Sequence, residues 1–148
     1  MYLVRFQWQD KTCYGKVRND EVTVLEGRFP DFQPTATKLS LAELDLLAPC
    51  EPSKILCLGL NYRDHAQEFN LPVPEQPVVF MKPSTAVTAP DSAIVYPNDM
   101  SGQLDYEGEL AVVIGKTAKC VTMEDAEQYI FGYTCANDVT SRDLQPSD

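Results

Sequence analysis

Between Tyr2 and Glu26 the chain is built of short alternating segments parted by polar pairs, and this punctuation restricts its fold more than any other feature. The segments are Tyr2 to Trp8, Thr12 to Val17 and Glu21 to Leu25, with Gln9-Asp10 and Asn19-Asp20 between them. Alternation with a period of two puts one set of side chains on a core face, and polar pairs with turn character reverse the chain, so a β-meander is predicted. Arg28 to Lys38 is rich in Pro and Thr. Ser40 with Glu43 three residues on has the form of a capping box, which predicts a short helix through Leu47. Pro49 and Pro52 then end it and make a linker. Residues 1–50 are therefore read as a small β-rich domain and residues 51–148 as the start of another.

Downstream, Ile55 to Leu60 is a nearly continuous apolar strand candidate, followed by a helical run from Asn61 through Phe69. Further strands are predicted at Pro77 to Met81, Ala93 to Tyr96, Leu104 to Gly115 and Tyr133 to Val139. Thr122 with Glu124 and Asp125 reads as the cap of a helix over Ala126 to Ile130. Strands outnumber helices and no βαβ alternation or internal repeat is visible, so the fold class is α+β, mainly β.

Composition narrows the function classes. Twelve Lys and Arg against 22 Asp and Glu give a net charge of −10, which leaves no basic face to neutralise phosphates and excludes nucleic acid as the expected partner. No apolar run approaches the roughly 18 residues of a membrane-spanning helix, so no membrane association is expected. Five cysteines form no C-x-x-C pair and no basic and apolar leader opens the chain, which points to a reducing, cytoplasmic compartment.

The segment Leu104-Asp105-Tyr106-Glu107-Gly108-Glu109-Leu110 carries the densest chemistry. In a strand, residues two apart share a face, so Glu107 and Glu109 are expected side by side, with Asp105 on the same face. Like charges this close repel unless a cation, a basic residue or bulk water screens them. A hard divalent metal suits such oxygen donors. A solvated acidic strand face accounts for this segment alone about as well. The apolar run Leu110 to Ile114 argues for a buried strand, and Asp138 is the obvious third acid, although an Asx turn is its more ordinary role.

His65, the single histidine, stands three residues before Glu68. On a helix the two are neighbours, and the carboxylate can orient the imidazole as a general base. An exposed helix whose His simply pairs with an acid is the more common outcome. A serine triad is weaker still, because no G-x-S-x-G elbow occurs.

Taken together, Gly59-Leu60-Asn61-Tyr62-Arg63-Asp64-His65-Ala66-Gln67-Glu68, Val79 to Ala86 with its Lys82-Pro83-Ser84 core, Asp105 to Leu110, Gly132-Tyr133 and Asn137 to Gln145 resemble the fumarylacetoacetate hydrolase family over residues 54–145. The likeness is strongest to its small acylpyruvate hydrolases, oxaloacetate decarboxylases and hydroxymuconate-type isomerases. It implies a mixed β-sandwich roll behind a small β-rich N-terminal domain. It also implies a metal site of Glu107, Glu109 and Asp138 holding Mg²⁺ or Mn²⁺, with Ca²⁺ as a further candidate, and a His65–Glu68 dyad on a lid-like helix. Arg142 and Gln145 match substrate-contacting positions that help hold an oxyanion, and Lys82 is expected near the same site.

The implied activity is hydrolysis of a C–C bond in an acylpyruvate-type 2-oxo acid through a metal-bound enolate, with the dyad activating water. Decarboxylation or isomerisation of a related diacid are the alternatives, as is a truncated, non-catalytic fragment. The implied partners are a small 2-oxo acid and a second copy of the chain in a homodimer. Family members continue past the R-D-x-Q run into a lysine-bearing segment and a glycine-rich loop. The resemblance therefore implies that these 148 residues are the first part of a longer enzyme and that the β-roll is incomplete.

Overall fold

The computed structural model describes residues 1–145. Strands β1 (Tyr2–Trp8), β2 (Lys11–Arg18), β3 (Glu21–Arg28), β4 (Asp31–Ser40) and β5 (Asp45–Leu47) form one sheet in the order β4-β3-β2-β1-β5. All its pairings are antiparallel. The first two reversals occupy the polar pairs read from the sequence: Gln9, Asp10, Asn19 and Asp20 all take φ between +49° and +63°. Two left-handed residues in a two-residue loop match the right-handed twist of the strands they join, and Asn and Asp tolerate that conformation. Phe6, Val22 and Val24 make the buried core of this sheet, with Leu39, Leu41, Leu44 and Leu46 packed against it.

In this region one stretch with no predicted element becomes a strand, and one sequence expectation fails. The Pro- and Thr-rich stretch is β4, an edge strand, where Pro34 opposite Leu25 loses no obligatory ladder bond. The Thr35 hydroxyl donates to the Val24 carbonyl at 2.9 Å beside the register shift there. The predicted helix from Ser40 is a single 3-10 turn, Leu41–Glu43, followed by β5; Ser40 makes no side-chain cap. Pairing of β5 with β1 puts Leu44 and Leu46 against the core, and this burial outweighs the local helical signal.

Beyond the linker, β6 (Ile55–Gly59) pairs with β7 (Val78–Lys82), and β6 leads into the six-residue helix α1 (Arg63–Glu68). The long predicted strand from Leu104 is two strands, β8 (Leu104–Asp105) and β9 (Gly108–Ile114). Each has its own partner: β8 pairs with β11 (Thr140–Ser141) and β9 with β10 (Ile130–Asn137). Nor is β9 buried as expected, since Leu110, Val112 and Ile114 are exposed. Ala93 to Tyr96 forms no strand. The helix predicted over Ala126 to Ile130 is a 3-10 turn, Ala126–Tyr129, whose N-cap Asp125 makes no side-chain cap; the Asp125 amide instead donates back to the Thr122 hydroxyl at 3.3 Å, and Ile130 already belongs to β10. The N-terminal sheet meets β10 through Phe29 and Phe32, whose rings lie 4.5 and 6.5 Å from that of Phe131. No helix among the described residues is long and apolar enough to cross a membrane.

Candidate active site

The site begins where β6 ends. Leu60 takes φ +51°, a left-handed conformation that costs a non-glycine residue roughly 1–2 kcal/mol. The turn carries the next two residues to the acid-bearing strand. The Tyr62 hydroxyl donates to the Gly108 carbonyl at 3.0 Å, and Asn61 Nδ2 donates to Glu109 Oε2 at 3.4 Å. Helix α1 follows at once, anchored by buried Ala66.

The acids sit where the ladder changes partner. Asp105 pairs with Thr140 and Gly108 with Asn137, leaving Tyr106 and Glu107 opposite Asp138 and Val139. Here the Glu107 amide donates to Asn137 Oδ1 at 3.1 Å, and the Asp138 amide donates to the Glu107 carbonyl at 2.9 Å. Asp105, Glu107 and Glu109 are thus divided between two strands and the gap between them, not carried on one continuous face. The break lets Glu107 and Asp138 approach from adjacent backbones.

Both acids are held by cations. Arg142 donates through Nε to Asp105 at 2.9 Å and through Nη2 to Glu107 at 2.5 Å, and its Nη1 reaches Gln145 Oε1 at 3.0 Å. Lys82, at the end of β7, pairs with Asp138. Arg142 is only 10% exposed, so its charge is committed to these partners in a setting where they are worth more than at an open surface. The Phe69 ring, just past α1, links the helix to this cluster. It lies 4.9 Å from the His65 ring and 6.0 Å from the Arg142 guanidinium carbon. His65 Nδ1 stands 3.8 Å from Glu68 Oε2, too far for a hydrogen bond.

Ion pairs and hydrogen bonds join Lys82 to Asp138 and Arg142 to Glu107 and Gln145, Phe69 touches both His65 and Arg142, and Glu109 is met by Asn61. Several participants were not singled out. Asp143 binds the Ser101 hydroxyl at 2.6 Å and the Gly102 amide at 2.8 Å, clamping the loop before β8 to the Arg142 segment. These two bonds hold its carboxyl below the usual range. Cys57 on β6 lies among the acids: burial, then the charge of Asp138, pushes its thiol up, Lys82 opposes this, and Glu109 and Glu107 add to it. The R-D-x-Q spacing could have pointed to Asp143; nothing local could have pointed to Cys57 or Phe69.

Among the described residues no three His, Cys, Asp or Glu side chains stand close enough to ligate one ion as they are placed. The carboxylates of Glu107, Glu109 and Asp138 are oxygen donors of the type a hard divalent cation takes, and all three act on the Cys57 thiol. Asp138 Oδ1 is buried and, among the described residues, accepts no hydrogen bond, the Lys82 ammonium pairing with its charge.

Comparison with known proteins bears on the same residues. Residues 54–148 match the family model described as fumarylacetoacetate (FAA) hydrolase C-terminal, and residues 1–49 match Rv2993c-like, N-terminal. The chain belongs to the fumarylacetoacetate hydrolase family. Among its curated relatives, the oxaloacetate tautomerase YisK of Bacillus subtilis is 50% identical over 110 residues, which cover 72% of this chain and 36% of that protein. A solved structure described as 5-carboxymethyl-2-hydroxymuconate delta-isomerase from Mycobacterium smegmatis superposes with a TM-score of 0.87 at 35% identity, covering 100% of this chain and 58% of that one. Maleylpyruvate hydrolase from Sphingobium sp. SYK-6, solved with manganese(II) and pyruvate, gives 0.69 at 25% identity over 96% of this chain and 60% of that one. The chain spans less than half the length of the first curated family relatives.

Proposed function

We propose that the protein performs enolate chemistry on a small 2-oxo diacid, foremost the interconversion of its keto and enol forms. The observation that supports this reading is the contact of one ring, Phe69, with both His65 and Arg142, which would bring a proton-moving dyad beside an anion-holding pair. Arg142 with Gln145 would receive a substrate carboxylate in place of the Glu107 carboxylate that now occupies the guanidinium. His65, oriented by Glu68, would take the proton from C3 of the keto form, a water would give one to the enolate oxygen, and the imidazolium would return its proton to that water, so the base is regenerated and both tautomers keep the same composition. Lys82 would position Asp138. Glu107, Glu109 and Asp138 would hold a divalent cation, Mg²⁺ or Mn²⁺ before Ca²⁺, which would supply Lewis acidity toward the 2-oxo group. The names of the curated relative and the Mycobacterium smegmatis neighbour support proton transfer.

Hydrolysis of an acylpyruvate-type C–C bond is the second reading. The maleylpyruvate hydrolase neighbour favours it, and the same dyad would then activate water. The proposal includes a cytoplasmic location and a homodimer, which light scattering on the purified protein would test. Oxaloacetate, acylpyruvates and hydroxymuconate-type dienoates should be assayed side by side by ultraviolet absorbance with Mg²⁺ or Mn²⁺. If proton transfer is the activity, His65→Gln lowers turnover by about a hundredfold or more. Unchanged turnover in both His65→Gln and Glu109→Gln would refute the assignment.

A further inference from the structure

We propose that the cleft between the N-terminal sheet and the loop after Lys82 is a second ligand site, specific for a small carboxylate, with Arg5 as its anchor and Glu51 as the group the ligand displaces. The cleft has a volume of about 290 Å³ and is lined by Arg5, Cys50, Glu51, Pro52, Ser84 and Val87. Its floor is unusual. Arg5 is the one buried charged residue among those described, with a side chain 9% exposed.

Its backbone cannot easily move away, because β1 is paired on both sides there, Arg5 with Tyr14 and with Leu47. A guanidinium fixed in such a place needs an opposing charge, since an unpaired buried cation is costly. Glu51 supplies it, pairing with Nη2, while Nη1 has only the Ala48 carbonyl at a long 3.4 Å. Yet the Glu51 side chain is 79% exposed and belongs to the linker between β5 and β6. The cation is thus built into the fold, whereas its counter-charge is borrowed from solvent. A free carboxylate entering the cleft replaces Glu51 on the same fork without creating a buried unpaired charge.

The rest of the lining agrees. Burial pushes the Cys50 thiol up despite the nearby Arg5 charge, so it stays neutral and does not repel an anion. Ser84, whose hydroxyl can donate a hydrogen bond, also lines the cleft. A cleft at the lower end of ligand-pocket volumes suits an acid of a few carbons better than a larger molecule. Ser84 lies two residues after Lys82, so occupancy here would be felt beside the site described above, but the cleft uses none of that site's residues and stands or falls separately.

The test is a titration of the full chain, followed by amide chemical shifts, with succinate, acetate and inorganic phosphate at constant ionic strength in chloride. Saturable shifts centred on Ala48, Glu51 and Ser84 to Val87 are expected with succinate, distinct from any at Gln103 to Glu109. Glu51→Gln, a change at an exposed position, should tighten succinate binding by about two- to fivefold by removing the competing ion pair. Arg5→Lys should weaken it while keeping the charge. The proposal is overturned if no shifts localise to the cleft, if Glu51→Gln leaves affinity unchanged or lowers it, or if phosphate binds more tightly than either carboxylate.

Discussion

The two halves of the molecule solve the problem of burying strand faces differently. In the N-terminal sheet five strands close over Phe6 and Val22, both fully buried, with four leucines packed against them. From β6 on, the strands come in separate pairs, and Leu56, Leu58, Met81, Leu110, Val112, Ile114 and Tyr133 remain exposed. The first half draws its stability from an apolar core of its own. The second is organised at its ends, by hydrogen bonds and ion pairs around Arg142, Asp138 and Asp143, at the candidate site. Polar networks fix geometry well but add little net free energy, so the halves should differ sharply in response to mutation.

The largest effect should come from Phe6→Ala, which empties the centre of the core and is expected to cost about 3–5 kcal/mol of unfolding free energy in urea. A smaller loss would mean that the sheet collapses around the gap and is less tightly packed than it looks. Next comes Gly15→Ala. A Cβ at this position would stand 2.2 Å from Val22 Cγ1 and 3.0 Å from Phe6 Cε1, and overpacking of this kind costs about 1–3 kcal/mol. Circular dichroism melts of the two variants together would show whether the core resists filling as it resists emptying.

Acid should act on the other half first. Because its hydrogen bonds hold the Asp143 carboxyl below its unfolded value, the stabilisation they give is present above about pH 4 and disappears as pH falls through the lower, folded value. The Gly102 amide should therefore exchange faster with solvent in mild acid, beyond the intrinsic rate, while amides in β1 and β2 do not. Asp143→Asn should abolish this pH dependence. The smallest effect is expected from Leu110→Thr, within about 0.5 kcal/mol, because the side chain is exposed and threonine suits a strand. Should it destabilise as strongly as Phe6→Ala, the β9 face is covered in solution and the contrast between the halves fails.

Legibility followed the range of the interaction. The turn pairs Gln9-Asp10 and Asn19-Asp20 were readable because a two-residue hairpin is a local device, and both adopt the positive φ it needs. The helix predicted from Ser40 was not, because its leucines fit a helical stripe and a core-facing extended segment equally well until β1 is available as a partner. The acids show the same division. Their identity and their order in the chain were visible, but the break at Tyr106 and Glu107 was not, since it depends on which of β10 and β11 lies opposite.

The sequence by itself determined a strand-dominated chain, its family, and the set of ionisable groups that could do chemistry. Spacing along a chain and residue type are enough for that. Tertiary structure alone decided that Glu107 would be met by Arg142 and Asp138 by Lys82, that Phe69 would join the dyad to them, and that Arg5 would be buried. Those outcomes depend on which side chains exclude water from which others, and that is settled only when distant segments share a surface.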